Sequence, residues 1–212
     1  MKILIISKFF ALLIAMTQVL SASVISVKEI ESPDKMGPWP EFEVTMFINA
    51  SPMESVAIYY ALDYQKDYVP GVIKSTVVDQ PNPREAITKY EFKTPWPLPN
   101  STYTNGSKLT KIKNIYRVDW WFIENSAAKD LFGYAIFSPH ENGTKLIYRS
   151  YISPKNFLAS FFKTRAKRDL AHTLIEIKRH IETLKKENSP ILRKYIQVIK
   201  DTLKNKYTYI KN

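Results

Sequence analysis

The sequence predicts an α+β domain: a curved antiparallel β-sheet wrapped around one long C-terminal helix, with an additional helix after it. Three observations predict this. Segments that alternate apolar and polar residues follow one another from Val72 to Ile152, too closely spaced for helices to lie between them, which argues antiparallel pairing. Helix-start chemistry occurs early, at Ser51-Pro52. After Ser153-Pro154 the apolar period changes from that of a strand to that of a helix and stays there.

Each element has its own signal. Glu41 to Asn49 alternates, with Phe42, Val44, Met46 and Ile48 on one face, as a half-buried strand requires. Ser51-Pro52-Met53-Glu54 supplies an N-cap, a proline at the first helical position and an acid in the first turn, so a helix runs from Pro52 to about Asp63. A short helical turn, Gln65 to Tyr68, ends at Pro70-Gly71. Strands follow at Val72 to Asp79, Ala86 to Thr94, Ser101 to Lys113 (bulged at Asn105-Gly106) and Tyr116 to Glu124. Leu131 to Ser138 and Thr144 to Ile152 are joined by a hairpin turn at Pro139 to Gly143. Leu170, Leu174, Ile177, Ile181 and Leu184 then form one helical stripe, and Leu192, Ile196, Ile199 and Leu203 a second, after Ser189-Pro190. Residues 24–40 read as a proline-rich lead-in.

Composition removes several chemistries. The chain has 212 residues and no cysteine, so disulfides, thiolate nucleophiles and thiolate metal sites are excluded. Its five glycines form no phosphate-cradling motif. Thirteen tyrosines, eleven phenylalanines and four tryptophans are a large aromatic inventory to bury or to line a pocket. The net charge of +11 is concentrated: residues 155–212 carry 15 basic and 5 acidic side chains, whereas residues 24–154 carry 14 and 15. A basic C-terminal segment does not make the whole chain a nucleic-acid binder.

Residues 1–23 carry Lys2 and Lys8, an apolar run from Phe9 to Leu20, and Ser21-Ala22-Ser23 at the end. This is the pattern of a secretory signal peptide. The alternative is an uncleaved N-terminal membrane anchor. A secreted, periplasmic address is expected. The sequons at Asn49, Asn100, Asn105 and Asn142 are read as ordinary turn composition.

Phe42 to Asp79, reading FEVTMFINASPMESVAIYYALDYQKDYVPGVIKSTVVD, resembles the opening of START-like proteins, the superfamily of lipid-transfer and polyketide-cyclase-like domains. The turn Pro95-Trp96-Pro97-Leu98-Pro99-Asn100 resembles a turn of START lipid-transfer domains, Gly143 to Tyr148 their last strand, and Leu170 to Glu182 their closing helix. The resemblance covers about residues 40–186 and implies a helix-grip fold that binds an apolar or amphipathic ligand. Where relatives continue the proline turn with Arg-Asp, this chain has Ser101-Thr102, and Ser189 to Asn212 extends past the usual end. The expected organisation is a signal peptide at 1–23, a lead-in at 24–40, a START-like domain at 41–188 and a basic amphipathic helix at 189–212.

Catalytic chemistry has thin support. His140 falls in a predicted turn; His172, Glu176 and His180 share roughly one helical face but read as its polar flank rather than a zinc site. No serine is paired with a histidine by any recognisable spacing. The acid pairs Asp119 with Glu124 and Glu85 with Glu91 sit on charged strand faces. No cofactor and no metal are expected, and the protein is expected not to be an enzyme. Turning the apolar faces inward gives a candidate ligand cavity of Val44, Met46, Ile48, Tyr90, Phe92, Val118, Trp120, Phe122, Ala135, Phe137, Leu146, Tyr148, Leu170, Leu174 and Ile177. The ordinary reading of any one of them is packed core. Phe161, Phe162, Lys163, Arg165, Lys167 and Arg168 form an aromatic and basic run suited to an anionic membrane surface. The expected partners are therefore a lipid or other hydrophobic small molecule and an anionic membrane, not nucleic acid. A cyclase- or hydrolase-type enzyme using the same cavity, and a non-catalytic protein-interaction module, are the rival readings.

Overall fold

The computed structural model describes residues 25–31, 39–93, 100–126, 128–155 and 163–209. The strands are β1 (Ser26–Ile30), β2 (Glu41–Ile48), β3 (Val72–Asn82), β4 (Glu85–Phe92), β5 (Ser101–Ile112), β6 (Ile115–Asn125), β7 (Ala128–His140) and β8 (Gly143–Pro154). The helices are α1 (Pro52–Tyr59), α2 (Lys163–Lys186) and α3 (Pro190–Leu203). All neighbours pair antiparallel in one sheet, ordered β1-β2-β8-β7-β6-β5-β4-β3. The sheet is open and curved.

Local chemistry explains most boundaries. Ser51 caps α1 in a reciprocal capping box: its side chain accepts from the Glu54 N–H, and the Glu54 carboxylate accepts from the Ser51 N–H at 2.7 Å. The helix stops at Tyr59, short of the Asp63 expected, because the chain tightens: the Ala61 N–H bonds Ile58 O, and the Leu62 N–H bonds Tyr60 O. That turn sends Tyr60 and Leu62 inward. A further strand, β1, lies within the stretch read as a lead-in and pairs with β2 from Ser26↔Thr45 to Ile30↔Glu41.

Bulges bend the sheet. The β5–β6 register shifts at Thr104/Asn105, with Ile123 of β6 as the extra residue. Ile73 and Val78 are extra residues on edge strand β3, and both face solvent. A bulged edge is a poor template for pairing with another sheet. Two glycines let indoles lie flat on the pleat. A Cβ on Gly106 would sit 2.1 Å from the Trp121 ring on the outer face; one on Gly133 would sit 2.2 Å from Arg149 O and 2.5 Å from the Trp120 ring on the inner face. On the outer face Arg149 donates to both Glu41 oxygens at 2.5 and 2.9 Å, tying β8 to β2. The Glu41 bond pushes the Arg149 guanidinium further up from its already high range.

The core lies at one end of the inner face. Val44, Met46 and Ile48 of β2, Ala135 and Phe137 of β7 and Leu146 of β8 join α1 and the Leu174, Ile177, Ile181, Leu184 stripe of α2. Helix α3 is built into this core, contributing Leu192, Tyr195 and Ile199. Its deepest side chains are Leu192, Tyr195, Ile199 and Thr202, whereas the expected Ile196 and Leu203 are half-buried. The rotation has a reason: the Tyr195 phenol donates to Asp63 at 2.9 Å, so the ring is buried with its hydroxyl satisfied. Tyr195 stacks on Tyr64, whose hydroxyl lies 3.1 Å from His180 Nε2, and the His180 ring stacks parallel on Tyr68 with centroids 4.7 Å apart. His180 thus fastens α2 to the α1–β3 connection. Burial lowers its pKa below the usual 6.5, against the opposing pull of Asp67 and Glu187.

Two predictions follow from this packing. Gly133→Ala meets the Arg149 backbone carbonyl and should cost about 1–3 kcal/mol in urea denaturation, whereas Gly106→Ala meets only the ring of Trp121, a partly exposed side chain that can swing toward solvent, and should cost less. Equal costs would contradict the inner-face packing. For His180 the folded pKa is below the unfolded one, so the unfolded chain binds more protons and stability falls as pH drops from about 6.5 through the folded value. His180→Phe should flatten that part of the stability–pH curve relative to wild type; an unchanged slope would show that His180 is not held neutral.

Candidate ligand-binding cavity

Between the inner face and the N-terminal half of α2 the side chains do not meet. They leave a cavity of about 510 Å3, within the range of small-molecule sites. Its long wall is the β4–β5 ladder, whose opposed pairs run Ala86–Ser107, Thr88–Asn105, Tyr90–Tyr103 and Phe92–Ser101. Val118 and Trp120 of β6, Leu131 of β7 and Tyr148, Ser150 and Ile152 of β8 form the opposite wall. Tyr59, Tyr60 and Leu62 enter from α1 and the turn after it; Leu170, Thr173, Leu174 and Ile177 of α2 cover the space. Exposure grades along the cavity. Tyr60, Thr88, Ser107 and Val118 are buried, while Ile152, 44% exposed, marks the rim.

Aromatic packing gives the walls their shape. Trp120 and Tyr148 lie 5.0 Å apart and Tyr59 packs near Trp120 at 6.5 Å, while Tyr90 and Tyr103 stack at 4.7 Å across the β4–β5 ladder. Gly133, opposite Trp120 on β7, leaves room for the indole to lie against the sheet. Burial pushes every phenol here up: Tyr60 and Tyr148 to about 12, and Tyr59, Tyr90 and Tyr103 well above the ordinary 10. No described lining residue carries a formal charge. The lining does contain buried polar atoms. Ser107 Oγ donates to Ala86 O at 3.3 Å and the Tyr60 hydroxyl to Arg84 O at 3.4 Å, whereas Thr88 Oγ1 and Asn105 Oδ1 have no partner.

The structure brings together Tyr90, Phe92, Val118, Trp120, Tyr148, Leu170, Leu174 and Ile177 from the expected set. Val44, Met46, Ile48, Ala135, Phe137 and Leu146 instead lie in the packed core beside the cavity, and Phe122 is half-buried outside the lining. Sequence reasoning missed Tyr59, Tyr60, Tyr103, Thr88, Asn105 and Ser107. At period two Thr88 shares its face of β4 with Tyr90 and Phe92, but a hydroxyl carries no apolar signal that would mark it as lining. Asn105, in one of the four sequons, turns its side-chain oxygen into the cavity.

The remaining candidates lie elsewhere. His172 is exposed and pairs loosely with Glu176, which also binds Arg179, while His180 faces Tyr64, so the three do not converge. No group of three or more potential metal ligands occurs among the described residues. Asp119 pairs with Arg117 and Glu85 with Lys108. Of the membrane run, Phe161 and Phe162 lie outside the described residues, Lys163 and Arg165 stand in the first turn of α2, Lys167 is half-buried, and Arg168 is 76% exposed beside Asp169. The proline turn 95–99 and the segment 1–23 also lie outside the described residues. No described helix is long and apolar enough to cross a membrane.

No protein-family model and no curated protein sequence matches this chain. Solved structures do match. A STAR-related lipid transfer protein fragment from Xanthomonas axonopodis superposes with a TM-score of 0.65 at 15% identity, over 74% of this chain and 93% of that one. Human StAR-related lipid transfer protein 5 gives 0.61 at 10% identity, over 84% and 96%. The Zhui aromatase/cyclase from Streptomyces gives 0.50 at 9% identity, over 82% and 96%. Lipid-transfer domains and cyclases thus share one architecture with this chain, and at these identities the likeness speaks for fold: the chain has the START-like helix-grip fold.

Proposed function

We propose that this chain is an exported, non-catalytic binding protein that shelters a lipid or other hydrophobic molecule in the cavity and exchanges it at an anionic membrane surface. The observation that carries the reading is the cavity itself: deep, open at a rim, largely apolar and free of formal charge along its described lining. Burying about 300 Å2 of ligand at roughly 25 cal/mol per Å2 is worth about 7 kcal/mol before ordering costs. Affinity in the micromolar range therefore needs no ionic contact. The lipid-transfer proteins among the structural neighbours support the same reading.

Turnover is less well supported. General acid–base catalysis works best with a group that titrates near the working pH, and the titratable side chains of the described lining are phenols held above their usual range. A cyclase-type reading draws on those phenols and on the likeness to Zhui; it requires product formation that stops when Tyr59 or Tyr148 becomes Phe. The partner-binding reading loses its main surface, because α3 spends its apolar face on the core.

The start of α2 runs against the helix dipole. The first turns of α2 carry Lys163, Arg165, Lys167 and Arg168, with no acid in the first turn, and a helix N-terminus disfavours cations. A local cost on the helix that covers the cavity fits a surface shaped for an outside partner. Export itself rests on the signal-peptide pattern of residues 1–23.

Two measurements test the reading. A brominated long-chain alcohol should quench tryptophan emission saturably, with a midpoint in the micromolar range, and Trp120→Phe should remove most of that quenching; quenching that never saturates would reject the cavity as a binding site. Vesicle binding should rise with anionic lipid content, fall with salt, and drop by about tenfold or more in Lys167→Glu/Arg168→Glu, at about 1 kcal/mol per basic residue near the surface. Binding indifferent to all three would remove the membrane from the proposal.

A further inference from the structure

We infer that the Thr88–Asn105 pair is a polar recognition subsite that selects an uncharged ligand bearing a hydroxyl group, bound with that hydroxyl innermost. This rests on the cavity reading above and goes beyond it by naming the ligand's chemistry and orientation. Thr88 and Asn105 face each other directly across β4 and β5, one step from the closed end of the ladder. Thr88 is 1% exposed. Its Oγ1 and the Asn105 Oδ1 are buried within the lining with no protein group at hydrogen-bond distance, although the Tyr90 phenol lies near enough to interact with the Thr88 hydroxyl. Stranding such atoms costs roughly 1–3 kcal/mol each, so native structures rarely leave them together without a use.

The neighbouring steps of the ladder show that these two atoms are the exception. Below them Ser107 Oγ is engaged by Ala86 O and the Tyr60 hydroxyl by Arg84 O. Above them Tyr90 and Tyr103 stack into a collar of aromatic surface, with Phe92 and Ser101 nearer the rim. A guest entering from the rim passes apolar ring faces before it meets an unsatisfied polar pair.

The donor and acceptor inventory narrows the guest. Asn105 Oδ1 can only accept, so the ligand must supply a donor. Thr88 Oγ1 can both donate and accept, so it can donate to the same ligand oxygen whose hydrogen goes to Asn105. One hydroxyl does both: it donates to Asn105 and accepts from Thr88. An ether or ester oxygen satisfies Thr88 alone. A carboxylate or phosphate would be desolvated there without a cation, because no described lining residue is charged. The chemistry recognised is that of a neutral lipid alcohol, with its hydrocarbon part running along the aromatic collar toward Ile152 and Leu170.

The test compares cetyl alcohol with its methyl ether, each delivered from cyclodextrin to the full chain, in wild type and in Thr88→Val. Valine keeps the shape of threonine and removes its hydroxyl. Wild type should bind the alcohol at least about tenfold more tightly than the ether, and Thr88→Val should shrink that ratio to within about twofold. The thermal midpoint of ligand-free Thr88→Val should be unchanged or higher, because a stranded polar atom has been removed. A pair with a merely structural role predicts the opposite pattern: lower stability and an unaltered ratio. Asn105→Leu gives a second route to the same loss of discrimination. If alcohol and ether bind wild type equally, the subsite falls and the cavity reading stands; if neither binds, both fall.

Discussion

A straight helix cannot stay in contact with a curved sheet along its whole length. This mismatch governs the molecule. Helix α2 is fastened at its C-terminal half, where Ile177, Ile181 and Leu184 meet the core built from β2, β7, β8 and α1, and where His180 stacks on Tyr68. Its N-terminal half then stands away from β4, β5 and β6 and roofs the cavity with Leu170, Thr173 and Leu174. Helix α3 reinforces the anchored end through Tyr195 and Asp63. The space exists because one end is packed well enough to hold the other end open.

Holding space open inside a domain has a cost, since lining atoms lose the contacts that close packing would give. Here the cost is spread over large flat side chains. Trp120, Tyr148, Tyr90 and Tyr103 pack against one another along the walls, and Gly133 gives the Trp120 indole room on the pleat. Stranding Thr88 and Asn105 in the same space adds to the cost. A chain selected for stability alone would fill the volume and pair those atoms. That neither has happened is the usual mark of a functional site, where local rules give way to binding.

Much of the architecture was readable from residue order. β2, β4, β6, β7 and β8 each alternate over enough residues for one face to be assigned, and that face became the concave one. β1 escaped because Ser26 to Ile30 is short and half polar, and it is a strand only through its pairing with β2. The cavity was half legible. Tyr90, Trp120 and Tyr148 fell on assigned faces, yet parity cannot tell a residue lining a void from one packed solid a few residues away, as with Val44 and Phe137. That distinction depends on curvature and on where α2 lifts off. Tyr59 and Tyr60 were hidden because the segment around them is apolar on all sides, and Thr88 and Asn105 because a polar residue in an alternating strand ordinarily faces water.

Native mass spectrometry of the protein, purified without detergent or organic solvent, tests the central claim most directly. The account predicts an intact mass above that of the polypeptide by one neutral lipid-sized adduct, lost on denaturation and restored when the delipidated chain is incubated with cetyl alcohol. A polypeptide mass alone, unchanged after that incubation, would show that the interior admits no guest.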